Sequence, residues 1–313
     1  MSASTDSTTP PEATPEQASV RFWQAQIEPT LGDLETNLAT HLTAIDQAAS
    51  AGADIVLFPE LSLTGYFLKD LTSEVARALD SNEIRVLLEA SKRISLAFGF
   101  VEAAPDGRLY NSVAFCEDGA ILHVHRKVHL VTYGMFEESR DFAAGEEFAV
   151  FDSRHGRFGI LICEDAWHMG GAYLHYMSGA DALLVHSSSP ARGVQAIPPT
   201  SGDECDEPCT LASNRTWETL LSALSLFFRT PVVFTNRVGV EDGITFSGDS
   251  RVIGPDGASL GRLQGLGPGH LDTTVDSHHV RRARRATPLR RDEKPWLLFK
   301  GLASLEGFQV DEE

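Results

Sequence analysis

No run of apolar residues in the 313-residue chain approaches the ~18 that a membrane-spanning helix needs. Cysteine is sparse: four residues are too few for a disulfide scaffold. Cys116 and Cys163 sit in apolar runs, whereas Cys205 and Cys209 form a CxxxC pair in the polar stretch DECDEPC. That pair offers two thiols to a metal or to a disulfide, but no second ligand pair stands nearby. Basic residues are outnumbered 26 to 44, and only five of them are lysine. The resulting net charge of −18 would repel nucleic acid and anionic membranes over most of the surface. It fits either an acidic surface adapted to high salt or an ordinary acidic cytoplasmic protein. The first 18 residues, rich in Ser, Thr, Pro and Glu, have nothing apolar to bury and read as a disordered tail. They also lack the basic start and apolar stretch of a secretory signal, so the expected location is the cytoplasm.

What remains alternates short apolar runs with helical patterns and shows no internal repeat. VRFWQAQI (20–27) and DIVLF (54–58) read as strands. Between them Leu34, Leu38, Leu42, Ile45 and Ala49 recur on one helical face that ends at Gly52. Residues 82–94 read as a helix, and 95–102, 110–116 and 121–128 as strands. FGILIC (158–163) and ALLVHS (182–187) are buried-strand runs around a short helix at 172–178. Trp217, Leu220, Leu221, Leu224 and Phe228 mark another helix, and 232–236, 245–253 and 259–263 the last strands. The pattern predicts one domain over 19–294, a mixed-sheet sandwich covered by helices, followed by a C-terminal extension over 295–313. The stretch 188–213 is long for a plain connection.

Three segments carry candidate chemistry. FGILIC delivers Cys163 at the end of a buried strand, where it is either a small core hydrophobe or a nucleophile at the rim of a rigid sheet. DIVLFPEL places Glu60 directly after a strand stopped by Pro59, either as a solvated strand end or as a base whose pKa burial raises. In ILHVHRKV, period-two alternation puts His123, His125 and Lys127 on one face. A lysine in an apolar strand needs partners, and Glu60 and Glu138 are the candidates. A metal site of His123, His125 and His129 is the rival reading, which the charge of Lys127 opposes.

The motifs FPEL, RKVHL and ICED, in that order, make the chain resemble the nitrilase superfamily of carbon–nitrogen hydrolases, from residue 24 to about 295. Within it, FPELSLTGY, TYGMFEESRDF and ICEDAWH look most like the glutamine-hydrolysing domain of glutamine-dependent NAD synthetases. The resemblance implies an α/β fold, an α-β-β-α sandwich paired into homodimers or larger assemblies, and no cofactor or metal. It implies a triad of Glu60, Lys127 and Cys163, with Glu138, or else Glu137, as a second glutamate. Departures are the absence of a synthetase domain and His186 before SSSP, where that branch tends to have Asn.

The expected activity is an amidase acting on a small amide or carbamoyl substrate. Cys163 attacks as a thiolate, its pKa lowered by Lys127, and Glu60 shuttles the proton. Lys127 and the backbone N–H of Glu164 hold the oxyanion. Tyr66, Glu164 and Ser188 are the expected substrate contacts, and Arg192 offers itself to a carboxylate. Competing readings are a glutaminase subunit feeding ammonia to a separate synthetase, a nitrile hydrolase, and a non-catalytic protein of the same fold. Glu164 stands where nitrile-cleaving relatives usually carry Trp, which favours amides. The arginine-rich end at 278–294, +5 locally, is expected to dock on the acidic body or a second subunit rather than on nucleic acid.

Overall fold

The structure is a computed structural model that describes residues 19–195 and 210–305. The strands of its two large sheets are, in chain order, β1 (Ser19–Gln26), β2 (Ile55–Leu57), β3 (Ser95–Ala103), β4 (Leu109–Glu117), β5 (Ala120–Arg126) and β6 (Val150–Ser153). They continue with β7 (Gly156–Ile162), β8 (Ala182–Ser187), β9 (Val232–Asn236), β10 (Arg251–Ile253), β11 (Ser259–Arg262) and β12 (Gly269–Asp276). One sheet runs β12-β1-β2-β3-β4-β5 and the other β11-β10-β9-β8-β7-β6. Each has three parallel neighbours, β1-β2-β3 or β7-β8-β9, with one antiparallel strand on one side and two on the other. The two halves thus share a pairing pattern that no sequence repeat announces.

Parallel pairing requires crossovers, and helices supply them. α1 (Leu34–Ala51) joins β1 to β2, and α2 (Asn82–Ala90) lies between β2 and β3. α3 (Met169–Met177) and α4 (Ala212–Phe228) lie between the parallel strands of the second sheet. Local chemistry sets the ends of α1. The Asp33 carboxylate accepts from Thr36 N at 3.0 Å, and Gly52 closes the helix at φ 76°. Ile45 and Ala48 of α1 and Ile84 and Leu87 of α2 pack with Phe98 and Phe100 on the outer face of the first sheet. Phe22, Ile55, Leu57, Phe158, Ile160 and Leu184 fill the space between the sheets. Leu161, Leu183, Trp217 and Leu221 join the second sheet to α3 and α4. Each large side chain so buried stabilises by about 1.5–3 kcal/mol. The α-β-β-α sandwich is therefore the fold.

The structure departs from the sequence reading at several strands. Residues 245–253 are not one strand: Ile244–Thr245 and Arg251–Ile253 are separate short strands, and Phe246 makes an isolated bridge to Pro190. Between them Gly248 and Asp249 take positive φ and bend the chain. Sheet formation also continues past residue 263. β12 pairs antiparallel with β1 from Ser19↔Asp276 to Gln26↔Gly269. β5 ends at Arg126, so Lys127 lies just beyond the strand. The arginine-rich segment begins as α5 (Ser277–Ala286), where Arg284 donates to Ala180 O and Thr230 Oγ1 of the body. α6 (Pro295–Leu305) leaves Trp296, Leu297, Leu298, Phe299, Leu302 and Leu305 exposed. No described helix is long and apolar enough to cross a membrane. Cys205 and Cys209 lie outside the described residues.

Candidate active site

The site gathers where strands of both sheets end, at the carboxyl ends of β2, β7 and β8 and just past β5. After β2, Phe58 N still donates to Ala97 O, at 2.9 Å, and Pro59, lacking an N–H, stops the ladder. The chain turns sharply with Leu61 at φ 48°. This turn presses on β3 so closely that a Cβ on Gly99 would stand 2.3 Å from Leu61 N. Glu60 is thereby carried into the interior with no solvent exposure.

Every hydrogen bond to the Glu60 carboxylate comes from another segment. Lys127 Nζ donates to Oε1 at 2.7 Å, Asn111 Nδ2 to the same oxygen at 2.8 Å, and Ser188 N to Oε2 at 2.8 Å. Lys127, equally buried, also donates to Glu138 Oε1 at 2.7 Å. Glu138 is fixed in turn by Val131 N at 2.9 Å and by the Tyr66 hydroxyl. Glu137, the alternative second glutamate, is exposed. Tyr66 itself is held from behind, where Glu241 accepts from the backbone N–H groups of Tyr66 and Phe67 at 2.9 and 3.1 Å.

Cys163 follows β7 at φ 45°, a left-handed conformation that costs roughly 1–2 kcal/mol for a residue with a Cβ. It opens a short 3-10 turn, Cys163–Trp167, and stays half-buried while its neighbours Glu164 and Asp165 are buried. The Ser187 hydroxyl reaches Cys163 Sγ at 3.4 Å. Glu164 accepts from the exposed Tyr133 hydroxyl at 3.0 and 3.1 Å.

Charge governs the protonation states. Burial acts to lower the Lys127 pKa, but Glu138 and Glu60 outweigh it and hold the ammonium well above 10.5. Burial raises Glu60 above its usual value, with Glu138 adding to the effect and Lys127 opposing it. Burial and the Glu60 charge push the Cys163 thiol upward, and Lys127 does not offset them. The sequence reading had Lys127 lowering that pKa. Lys127 does act in that direction, but burial above all, together with the charge of Glu60, outweighs it, so Cys163 rests as a thiol. Tyr66 is held well above 10 by burial and by Glu138, and remains a donor.

Other expected residues fall as follows. Ser188 faces Glu60, its hydroxyl donating to Glu60 O at 2.9 Å. Arg192 is exposed at the surface. His123, His125 and His129 do not converge: His123 stacks on Phe151, while His125 and His129 both reach Asp165, at 3.0 and 3.1 Å. His186 is buried between the sheets with Nδ1 2.6 Å from Phe58 O, and burial pulls its pKa down to about 4, keeping it neutral. Ser187 opens the SSSP run (187–190), whose hydroxyls the sequence offers to a substrate, whereas Asn111, Tyr133 and Asp165 belong to the site and escaped the sequence reading. Only Asp165 carried a signal, its place two residues after Cys163.

A family model for carbon-nitrogen hydrolases matches residues 20–285. The glutamine-dependent NAD(+) synthetase of Acinetobacter baylyi is 30% identical over 74% of this chain and 40% of that protein. The citrullinase of Francisella tularensis is 30% identical over 83% of this chain and 91% of that protein. Among solved structures, an amidase from Nesterenkonia sp. superposes with a TM-score of 0.69 at 25% identity, covering 88% of this chain and 98% of that one. The chain spans about two fifths of the length of the synthetases it matches.

Proposed function

The chain belongs to the carbon–nitrogen hydrolase family, and on that premise we propose that it is an amidase releasing ammonia from a small amide or carbamoyl substrate through a thioester on Cys163. The observation that carries this reading is one buried cluster: the Cys163 thiol beside Lys127, with Glu60 and Glu138 bonded to the same ammonium.

In this reading the thiol is activated only as it attacks. Glu60 accepts the thiol proton while sulfur bonds to the carbonyl carbon, and the carbonyl oxygen takes up the electron pair. Lys127 and the backbone N–H of Glu164 stabilise that oxyanion, each such donor commanding on the order of 10²–10³ in rate. Glu60 then protonates the leaving nitrogen, the C–N bond breaks, and ammonia departs from a thioester. Water attacks the thioester, giving its proton to Glu60, and collapse of the second oxyanion expels the thiolate, which recovers that proton. Asn111 and Ser188 N hold Glu60 in one pose through both halves. Lys127, held protonated, and Glu138, which orients it, transfer no proton.

Tyr66 walls the pocket and Glu164 faces a positive group of the substrate, such as an amino-acid ammonium. Likeness to a citrullinase and to glutamine-dependent synthetases supports a substrate of that kind, a terminal carbamoyl or carboxamide on an amino acid. The synthetase likeness also favours a second reading, a glutaminase that passes ammonia to a separate partner.

An ammonia-release screen over ω-amides, ureido acids and matched nitriles tests the proposal. Amides or carbamoyl compounds are turned over, nitriles are not, and Cys163→Ala keeps less than about a thousandth of the activity. Nitrile turnover equal to the amide's, or an active Cys163→Ala, refutes it. We further propose self-association through the exposed face of α6, with no nucleic-acid or membrane partner.

A further inference from the structure

Asp165 has no solvent exposure and accepts five hydrogen bonds on its two carboxylate oxygens. Val128 N and His129 N donate to Oδ1 at 3.2 and 2.9 Å, and His129 Nδ1 lies 3.1 Å from the same oxygen. Ile162 N donates to Oδ2 at 3.1 Å, and His125 Nε2 lies 3.0 Å from it. These partners belong to two segments only. One is the chain around Lys127, which it brackets from both sides; the other is the residue immediately before Cys163. A single carboxylate therefore ties the support of the ammonium to that of the thiol, across the gap between the two sheets.

Cys163 holds a left-handed φ that its own backbone disfavours. Lys127, one residue past β5, has its N donating to Asn111 O and its O accepting from Gly145 N, both at 2.8 Å, and Asp165 adds a hold on the residues at either side of it. Burial would raise the carboxyl pKa, but the hydrogen bonds from the His125 and His129 side chains and from the His129 backbone hold it well below the usual range, so the acceptor is ionised throughout the working pH range.

We propose that Asp165 is a positioning residue that fixes the Cys163 thiol against the Lys127 ammonium by clamping both main-chain segments to one carboxylate. It touches no reacting atom, and the inference rests on the triad reading above. Asparagine cannot replace it. Whichever way the amide is turned, its NH₂ meets a backbone N–H, that of Ile162 on one side or those of Val128 and His129 on the other. Glutamate keeps the charge and both acceptors but lengthens the arm by one methylene.

The test compares Asp165→Asn and Asp165→Glu with wild type for kcat and KM of ammonia release. Alongside, it follows the rate of Cys163 carbamidomethylation by iodoacetamide, read on the Cys163 peptide, well below the melting temperature. A displacement of about 1 Å commands roughly 100-fold in rate, so kcat falls by about that factor, alkylation changes rate, and KM stays within a few-fold. If Asp165→Asn does not fold, Asp165→Glu decides alone. Wild-type kcat and alkylation in a folded variant, a loss confined to KM, or failure of both variants to fold each overturn the positioning role. Cys163→Ala separates the two failures. If it is inactive while the Asp165 variants behave as wild type, the clamp alone is wrong; if it is active, the triad reading falls and the clamp with it.

Discussion

Around Cys163 one ammonium faces two carboxylates, and this imbalance decides how the site responds to pH and to mutation. In the proposed mechanism Glu60 serves as a base only when ionised, and its pKa is raised above 4.5 in the fold. The acid limb of kcat/KM is therefore displaced upward from the ordinary carboxylate value, and Glu60→Gln abolishes turnover. For stability, the raised pKa means that Glu60 contributes most below its unfolded pKa and that this contribution is lost as pH rises through the folded one. Asp165 has the opposite sign. Its depressed pKa makes its contribution complete above about pH 4 and lost as pH falls further. Lys127→Met leaves Glu60 and Glu138 buried without their cation. It will cost about 3–5 kcal/mol in urea unfolding at pH 8, and less at pH 5, where one carboxylate takes up a proton. Lys127 and Glu60 were legible because a buried charge has to be paired. Asn111 was not, since a lone asparagine in an apolar strand carries no mark of its partner. Asp165 reads as turn chemistry until His125 and His129, distant in the chain, are seen to face it.

At the scale of elements, the Glu60 turn depends on the bare backbone of β3. Gly99→Ala places a methyl group against Leu61 N and Pro59 O, main-chain atoms that cannot swing aside. We expect a loss of about 1–3 kcal/mol in thermal or urea unfolding, with a larger proportional loss of kcat than of folded protein, because the displaced segment carries Glu60. A Gly267→Ala control, with nothing within 4 Å of the added Cβ and, like Gly99, no positive φ, separates this from the general effect of replacing a glycine. The helices α1 and α4 and the buried strands were readable because their apolar spacing matches the face they bury. β12 was not, because an edge strand of sequence GHLDTTVD buries only Thr273 and Val275. β6 was missed for its length, four residues.

Over the whole molecule, the exposed residues of α6 are out of keeping with an otherwise acidic surface. Trp296 and Phe299 are each 63% exposed and Leu305 83%. With Leu297, Leu298 and Leu302 they make a contiguous run of exposed large apolar side chains, the kind of surface that marks an interaction site. Trp296→Asp combined with Phe299→Asp should reduce the sedimenting mass to that of one 34.0 kDa chain while leaving the circular dichroism melt intact. Unchanged mass would end the proposal of self-association through α6. The ladder between β1 and β12 has a different consequence, in time rather than space. Across it the side chains of Arg21 and Asp272 pair, although they lie 251 residues apart in the chain. At the ~5–20 residues per second of translation, β1 waits roughly 12–50 s for its neighbour. Throughout that interval an eight-residue edge stands open on the ribosome, a template for strands of other nascent chains. Chains terminated before residue 269 never close it and will collect in the insoluble fraction, whereas chaperones that cover nascent β1 will raise the yield of the full-length protein.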